Sequence, residues 1–358
     1  MTVFYIAVAV IAVGVGGVLL LATYQLNKIP KMTFADMLAY VTARKEDAVI
    51  AVGVIDNGTA EYTFYGENGK TLERAEHIFE IGSITKTFTA SLLFKAISEG
   101  RICLDDRIDA YLDLPVKAYY PTIKRIITHT SGYKSIYPEG QIVLNLLKGR
   151  NIFHGISNKR LLERIGKIDP EEKDYDFTYS NFGMSVIGAV LARVYGAEYT
   201  PLINDYVRTE LGLRDTKVSD GSGGLGNYWD WAKNDAYIAA GALTSTIEDM
   251  LEYARLHMGN SIGYLVDTHT VISEINANTE RNVKLGIRMD AVGAAWLIDS
   301  KRGIVWHNGG TGAYNSYIGI DIENQIAVVI LSNLPPNYRI PATVIGVKLM
   351  DDLRQAID

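Results

Sequence analysis

The fold class that the chain predicts is α/β, of the α+β kind: an antiparallel sheet flanked by helices and built from both chain ends, with a helical domain inserted between them. Three observations carry this expectation. Two strand patterns joined by a tight turn lie near the N-terminus, and helical patterns with loops dominate from Cys103 to about Asn278. Four strand patterns with short connections then precede a last amphipathic helix. An apolar segment in front of all this predicts an N-terminal transmembrane helix. The expected boundaries are 1–30 for the membrane or signal segment, 31–100 and 290–358 for the α/β domain, and 101–289 for the helix-rich insertion.

Val3 to Leu26 carries no charged side chain, and roughly twenty apolar residues suffice to cross a bilayer. No basic n-region or A-x-A-like cleavage site accompanies it, so it reads as an uncleaved single-pass anchor rather than a signal peptide. Lys28 and Lys31 follow it, which on the positive-inside rule favours a cytoplasmic body. Lys31 to Lys45 then reads as an amphipathic helix with Phe34, Met37, Leu38 and Val41 on one side. Val49–Ile55 and Glu61–Tyr65 read as strands joined at Asp56-Asn57-Gly58, a hairpin signal. Asn68-Gly69-Lys70-Thr71 resembles the end of a phosphate loop, but Phe64 stands where the first glycine is required.

The next stretch organises the rest. Ile81-Gly82-Ser83-Ile84-Thr85-Lys86 opens a helix running towards Gly100, with Ile84, Phe88, Leu92 and Ala96 at core spacing. Ser83 and Lys86 share one face of its first turn. There the serine oxygen lies near unpaired N–H groups, and a desolvated lysine can take its proton. A second S-x-x-K, Ser131 to Lys134, falls in a glycine-bearing loop with no helix to align it. His129, beside it, reads as a hydrogen-bonded structural histidine. Gly221 to Gly226 satisfies G-x-G-x-x-G without a βαβ context, and with Tyr228, Trp229 and Trp231 it reads as an aromatic-bearing loop, able to wall a cleft.

Two more stretches carry chemistry. Tyr179-Ser180-Asn181 precedes the apolar helix Met184–Val194, and a tyrosine there can act as general base if a lysine lowers its pKa. The strands Ala294–Asp299, Ile304–His307, Tyr314–Ile320 and Ile326–Ser332 form a meander, closed by a helix from about Pro341. Within it, His307-Asn308-Gly309-Gly310-Thr311-Gly312 lets a backbone N–H approach a substrate and hold an oxyanion.

Composition bounds the rest. The 358 residues suffice for a large core, and a net charge of −6 argues against nucleic acid as the main partner. Cys103 is the only cysteine, so no intrachain disulfide forms, and it reads as a small buried hydrophobe. Six histidines without an H-E-x-x-H pair make a zinc site improbable, and no metal or cofactor is expected.

In the order S-x-x-K, Y-x-N, H-x-G, with Leu104-Asp105-Asp106, His129-Thr130-Ser131-Gly132, Gly241 to Thr246 and Ile247 to Met250, the chain resembles the class C β-lactamase family of serine hydrolases from Met32 to Leu353. That family also holds esterases, D-amino-acid peptidases and penicillin-binding carboxypeptidases. The resemblance implies a β-lactamase/transpeptidase-like fold with its cleft between two domains. It implies Ser83 as nucleophile, Lys86 as its proton partner, Tyr179 as acid/base and Asn181 as the group that orients Lys86 and the substrate. The oxyanion hole would be the N–H groups of Ser83 and Gly310, with His307 and Gly309 in support.

One departure bears on substrate. β-Lactamases of this family carry K-T-G where this chain has His307-Asn308-Gly309, so a permanent cation becomes a mostly neutral imidazole. The expected activity is therefore hydrolysis of a small ester, D-alanyl ester or peptide, through an acyl-enzyme on Ser83. The partner would be a small-molecule or cell-envelope substrate, with the membrane held through residues 3–26. The alternatives are a β-lactamase or DD-carboxypeptidase and, from another class, a non-catalytic membrane-tethered binding or sensor module. Family habit places the body outside the cytoplasmic membrane, against the lysine count.

Overall fold

A computed structural model of the chain describes residues 27–259 and 261–357. The expected membrane segment Val3–Leu26 lies outside the described residues, and among these no helix is long and apolar enough to cross a membrane.

Strands β1 (Ile50–Asp56), β2 (Thr59–Tyr65) and β3 (Thr71–Leu72) come first, then β4 (Phe79–Glu80). Much later follow β5 (Lys217–Val218), β6 (Leu243–Ser245), β7 (Ser273–Glu274), β8 (Ala291–Val292) and β9 (Leu297–Asp299). The chain closes with β10 (Ile304–Gly310), β11 (Asn315–Asp321) and β12 (Ile326–Ser332). Nine of these make one antiparallel sheet in the order β3-β2-β1-β12-β11-β10-β9-β8-β7. The long first and last strands of the chain, β1 and β12, lie side by side within it, with Gly53 opposite Val329. The hairpin at Asn57-Gly58 takes the positive φ values, 47° and 80°, that its residues favour.

Both faces of the sheet are covered. Helices Phe34–Thr42 and Ala342–Gln355 lie on one, where Met37, Leu38, Val41 and Ile345 pack with Ile50, Val328 and Ile330. The first of these is shorter than the expected Lys31–Lys45, because Thr33 and Asp36 form a capping box that starts it at Phe34. Helix Ile247–Met258 lies on the other face, where Ile247 and Leu251 pack with Ala51, Val329 and Leu331. With neither face in water, β11 and β12 are buried along their whole length. That is why they read as apolar runs rather than alternating strands.

Two features depart from expectation and one agrees with it. β4, β6 and β5 form a second, three-stranded sheet that the sequence does not announce. Cys103 is exposed rather than buried, since its turn faces outward with its N–H on the Asp106 carboxylate. Helix Thr85–Ser98, expected to face a core through Ile84, Phe88, Leu92 and Ala96, does so and is buried on nearly every side. Its polar positions tolerate this because Thr87, Thr89 and Ser91 donate to the carbonyls of Ile84, Thr85 and Thr87.

Candidate active site

Ser83 sits in a 3₁₀ turn, Gly82–Ile84, that runs directly into helix Thr85–Ser98. The small sheet holds this turn in place. Ile81 N–H donates to Leu243 O at 3.0 Å, and Leu243 N–H donates to Thr85 Oγ1 at 3.0 Å. One turn on, Lys86 is wholly buried. Its Nζ lies 3.0 Å from Ser83 Oγ, 2.8 Å from Asn181 Oδ1 and 2.5 Å from Ala240 O.

This triangle decides the chemistry. Among the described residues Lys86 has no carboxylate partner, and burial pushes its pKa well below the ordinary lysine value. A neutral amine keeps two N–H groups, which suit Asn181 Oδ1 and Ala240 O, and its lone pair then faces the Ser83 hydroxyl. Ala240 was not expected, since a backbone carbonyl leaves no mark on side-chain identity. The signal available was the Gly241–Thr246 motif that follows it.

Tyr179 is half-buried and its hydroxyl hydrogen-bonds Ser83. The Lys86 ammonium position lies 4.9 Å from the Tyr179 ring centre. Against the expectation that a neighbouring lysine lowers the tyrosine's pKa, burial raises it, and the Ser83 hydrogen bond offsets only part of this. Lys86, whose own charge burial disfavours, does not offset this rise. Tyr179 is therefore a neutral phenol in this site.

Its position is set by His129. His129 O accepts from Thr178 N–H at 2.9 Å, and His129 Nδ1 accepts from Ser180 N–H at 3.2 Å, so the histidine clamps both residues flanking Tyr179. Burial holds its pKa down at about 3, so it remains neutral and the reading of it as a structural histidine stands. Ser180 caps helix Asn181–Tyr195 by accepting from Gly183 N–H, which places Asn181 in the first turn facing Lys86. The second S-x-x-K forms no pair: Lys134 is exposed, while Ser131 is buried in its loop.

β10 closes the site from the sheet side. A Cβ on Gly309 would stand 1.9 Å from Ile81 O, and one on Gly82 would stand 2.5 Å from Gly310 N. The glycines thus let the strand and the serine turn touch, more than they open room for a substrate. Thr311 N–H donates to Tyr314 O, which sets the phase of the β10–β11 ladder. Gly310 then points its N–H away from β11, on the edge where β9 reaches only as far as Trp306. This leaves the N–H beside the Ser83 turn without a ladder partner.

His307 is fully buried, with Nδ1 2.6 Å from Asn308 O, and burial above all holds its pKa at about 3. It is neutral, as the sequence predicts. The Gly221–Gly226 loop does not line the cleft. Its aromatic neighbours dock elsewhere, Trp229 N–H on Glu80 and Tyr228 Oη on Ile78 O. The cleft itself encloses about 810 Å³, and its walls include Ser83, Tyr179, Asn308, Gly309 and Gly310. No group of three or more His, Cys, Asp or Glu placed to hold a metal occurs among the described residues.

Comparison with known proteins matches this geometry to one family. A family model described as Beta-lactamase matches residues 38–344. Protein flp of Staphylococcus aureus is 24% identical over 293 residues, covering 73% of this chain and 53% of that protein, so the chain spans about half its length. The D-alanyl-D-alanine-carboxypeptidase/endopeptidase AmpH of Escherichia coli is 21% identical over 336 residues, 86% of this chain and 84% of that one. Among solved structures, the octameric penicillin-binding protein homologue from Pyrococcus abyssi superposes with a TM-score of 0.67 at 20% identity, covering 95% and 77% of the two chains.

Proposed function

The chain belongs to the β-lactamase family of serine hydrolases, and from that premise we propose that it cleaves a small ester, D-alanyl ester or peptide through an acyl-enzyme on Ser83. The observation that carries the reading is the buried Lys86, 3.0 Å from Ser83 Oγ, with a lowered pKa and no counter-ion among the described residues. Neutral Lys86 takes the hydroxyl proton as Ser83 Oγ attacks the carbonyl carbon. The oxyanion that forms is held by the N–H groups of Ser83 and Gly310. Tyr179, a neutral phenol bonded to Ser83, passes a proton to the leaving group and is reprotonated from Lys86. Water then attacks the acyl-enzyme by the reverse route. Asn181 and Ala240 O keep the amine aimed throughout.

Neutral His307 supports an ester or peptide over a penicillin. At that position of β10 a β-lactam carboxylate finds no permanent cation, since the imidazole is neutral and itself fully buried. The test of the acyl-enzyme is labelling with a fluorophosphonate probe followed by intact-mass analysis. Wild type should gain one adduct and Ser83→Ala none; an adduct that persists in Ser83→Ala, or maps to Ser131, removes the assignment.

For topology, the reading is a body outside the cytoplasmic membrane, held by residues 3–26. Its support is the uncharged apolar run from Val3 to Leu26. An alkaline phosphatase fused after Asp358 should be active and a cytosol-dependent reporter dark. The reverse pattern would favour Lys28 and Lys31 as the guide to orientation.

A further inference from the structure

The catalytic cleft extends well beyond the groups that do chemistry. It opens where the pairing with β9 stops at Trp306 and β10, still paired with β11, runs on to Gly310, and it continues along the face of the sheet that carries the terminal helices. Its far walls are Phe177, Leu285, Ile287, Met289, Leu297 and Val344. Among the described residues no Asp or Glu lines it, and the two charged residues that do, Arg281 and Arg339, are both cationic. Arg339 is held in place by the carbonyls of Tyr40 and Ala43. Leu285 and Met289 are only partly buried, so they keep apolar surface open to the groove.

A volume near 810 Å³ falls within the range that encloses most of a drug-sized ligand. An acetyl group or a single alanine fills a small part of it. Releasing the water that covers the remaining apolar walls gives a net gain when the ligand that replaces it is apolar. Resting on the reading of Ser83 as nucleophile, we propose that the substrate is an ester or amide carrying an extended apolar chain on one side of the scissile bond, uncharged or anionic at its far end. The chain lies against Leu285, Ile287 and Met289, while the carbonyl is held at Ser83 and Gly310. The arginines disfavour a chain that ends in an amine.

Each buried methylene contributes about 0.8 kcal/mol, which converts to roughly a fourfold gain in kcat/KM. The test uses the full-length protein and two ester series. One is p-nitrophenyl acetate through decanoate, with the chain on the acyl side; the other is acetate esters of ethanol through decanol, with the chain on the leaving group. The expected result is a rise of at least about 30-fold from the two-carbon to the eight-carbon member of one series. Leu285→Asp, and independently Met289→Gln, should cut that long-to-short ratio by about tenfold or more, each judged on protein whose melting curve remains cooperative. A flat or falling profile in both series overturns the proposal, as does a ratio unmoved by both variants. Ser83-dependent acetate hydrolysis alongside a flat profile would leave the hydrolase reading standing and remove only the chain site. Acetate hydrolysis that survives Ser83→Ala would remove both.

Discussion

Lys86 and Tyr179 differ in what burial does to them, and this separates their roles. Desolvation disfavours the charged form of each, so it makes the lysine a better proton acceptor at neutral pH and the tyrosine a worse one. The free-enzyme kcat/KM should rise with pH as Lys86 loses its proton, giving an acid limb. Lys86→Ala should lower kcat/KM by about 10²–10⁴-fold, the usual contribution of acid–base catalysis, and abolish that limb. Lys86→Arg should not restore activity, since a guanidinium does not deprotonate. Tyr179→Phe should cost less than Lys86→Ala and leave the limb in place. A variant order of the opposite sense, or a limb that vanishes in Tyr179→Phe instead, would return the base to the tyrosine. None of this asymmetry was legible in the sequence, which places two groups titrating near pH 10 together but does not say how deeply each is buried.

At the scale of elements, the site depends on a contact between β10 and the turn that carries Ser83. Gly309 has no space for a Cβ: Ile81 O would lie 1.9 Å away and Ser316 Oγ 2.4 Å. Gly309→Ala must push the strand and the serine turn apart, so both stability and alignment suffer. We expect a loss of about 1–3 kcal/mol in unfolding free energy, the usual cost of overpacking, and fluorophosphonate labelling slowed by at least about tenfold. Gly224→Ala is the control. Its Cβ meets nothing within 4 Å, and labelling there should match wild type. Equal labelling rates in both variants would mean that the contact does not align Ser83. The sequence marked this neighbourhood well, because hairpin turns, strand periods and the S-x-x-K spacing are local signals. β11 and β12 were placed to within a residue of their observed ends. The two- and three-residue strands β4, β5 and β6 escaped, since no period can be read from so few positions. Lys86's contact with Ala240 O, across 154 residues, escaped for a different reason: it joins a side chain to a backbone group that every residue possesses.

On the scale of the whole molecule, four of the six histidines are buried and held uncharged: His129 and His307 in the site, His257 and His269 against Trp296. Burial lowers the pKa of His129 and His307 to about 3, of His269 to about 4, and of His257 well below the ordinary value. A base whose folded pKa is depressed binds fewer protons folded than unfolded. Its contribution to stability is complete above pH 6.5, the unfolded value, and is lost as pH falls through that value toward 4 and then 3. By pH 5 one such histidine forfeits about 2 kcal/mol. Burial raises the pKa values of Glu80, Asp235, Asp249 and Asp351, and these work in the opposite sense, gaining stability as pH falls. The net slope therefore mixes both, and a variant is needed to isolate the histidines. His269 serves best. It lies outside the catalytic cleft, its ring meets Trp296 edge-to-face at 5.2 Å, and neither ring nitrogen has a hydrogen-bond partner. Phenylalanine can take that place without losing a bond. His269→Phe should therefore lose less unfolding free energy than wild type between pH 7.5 and pH 5, by about 2 kcal/mol, measured by urea denaturation at each pH. An identical loss in the two proteins would mean that His269 is charged, or reached by water, in the folded state.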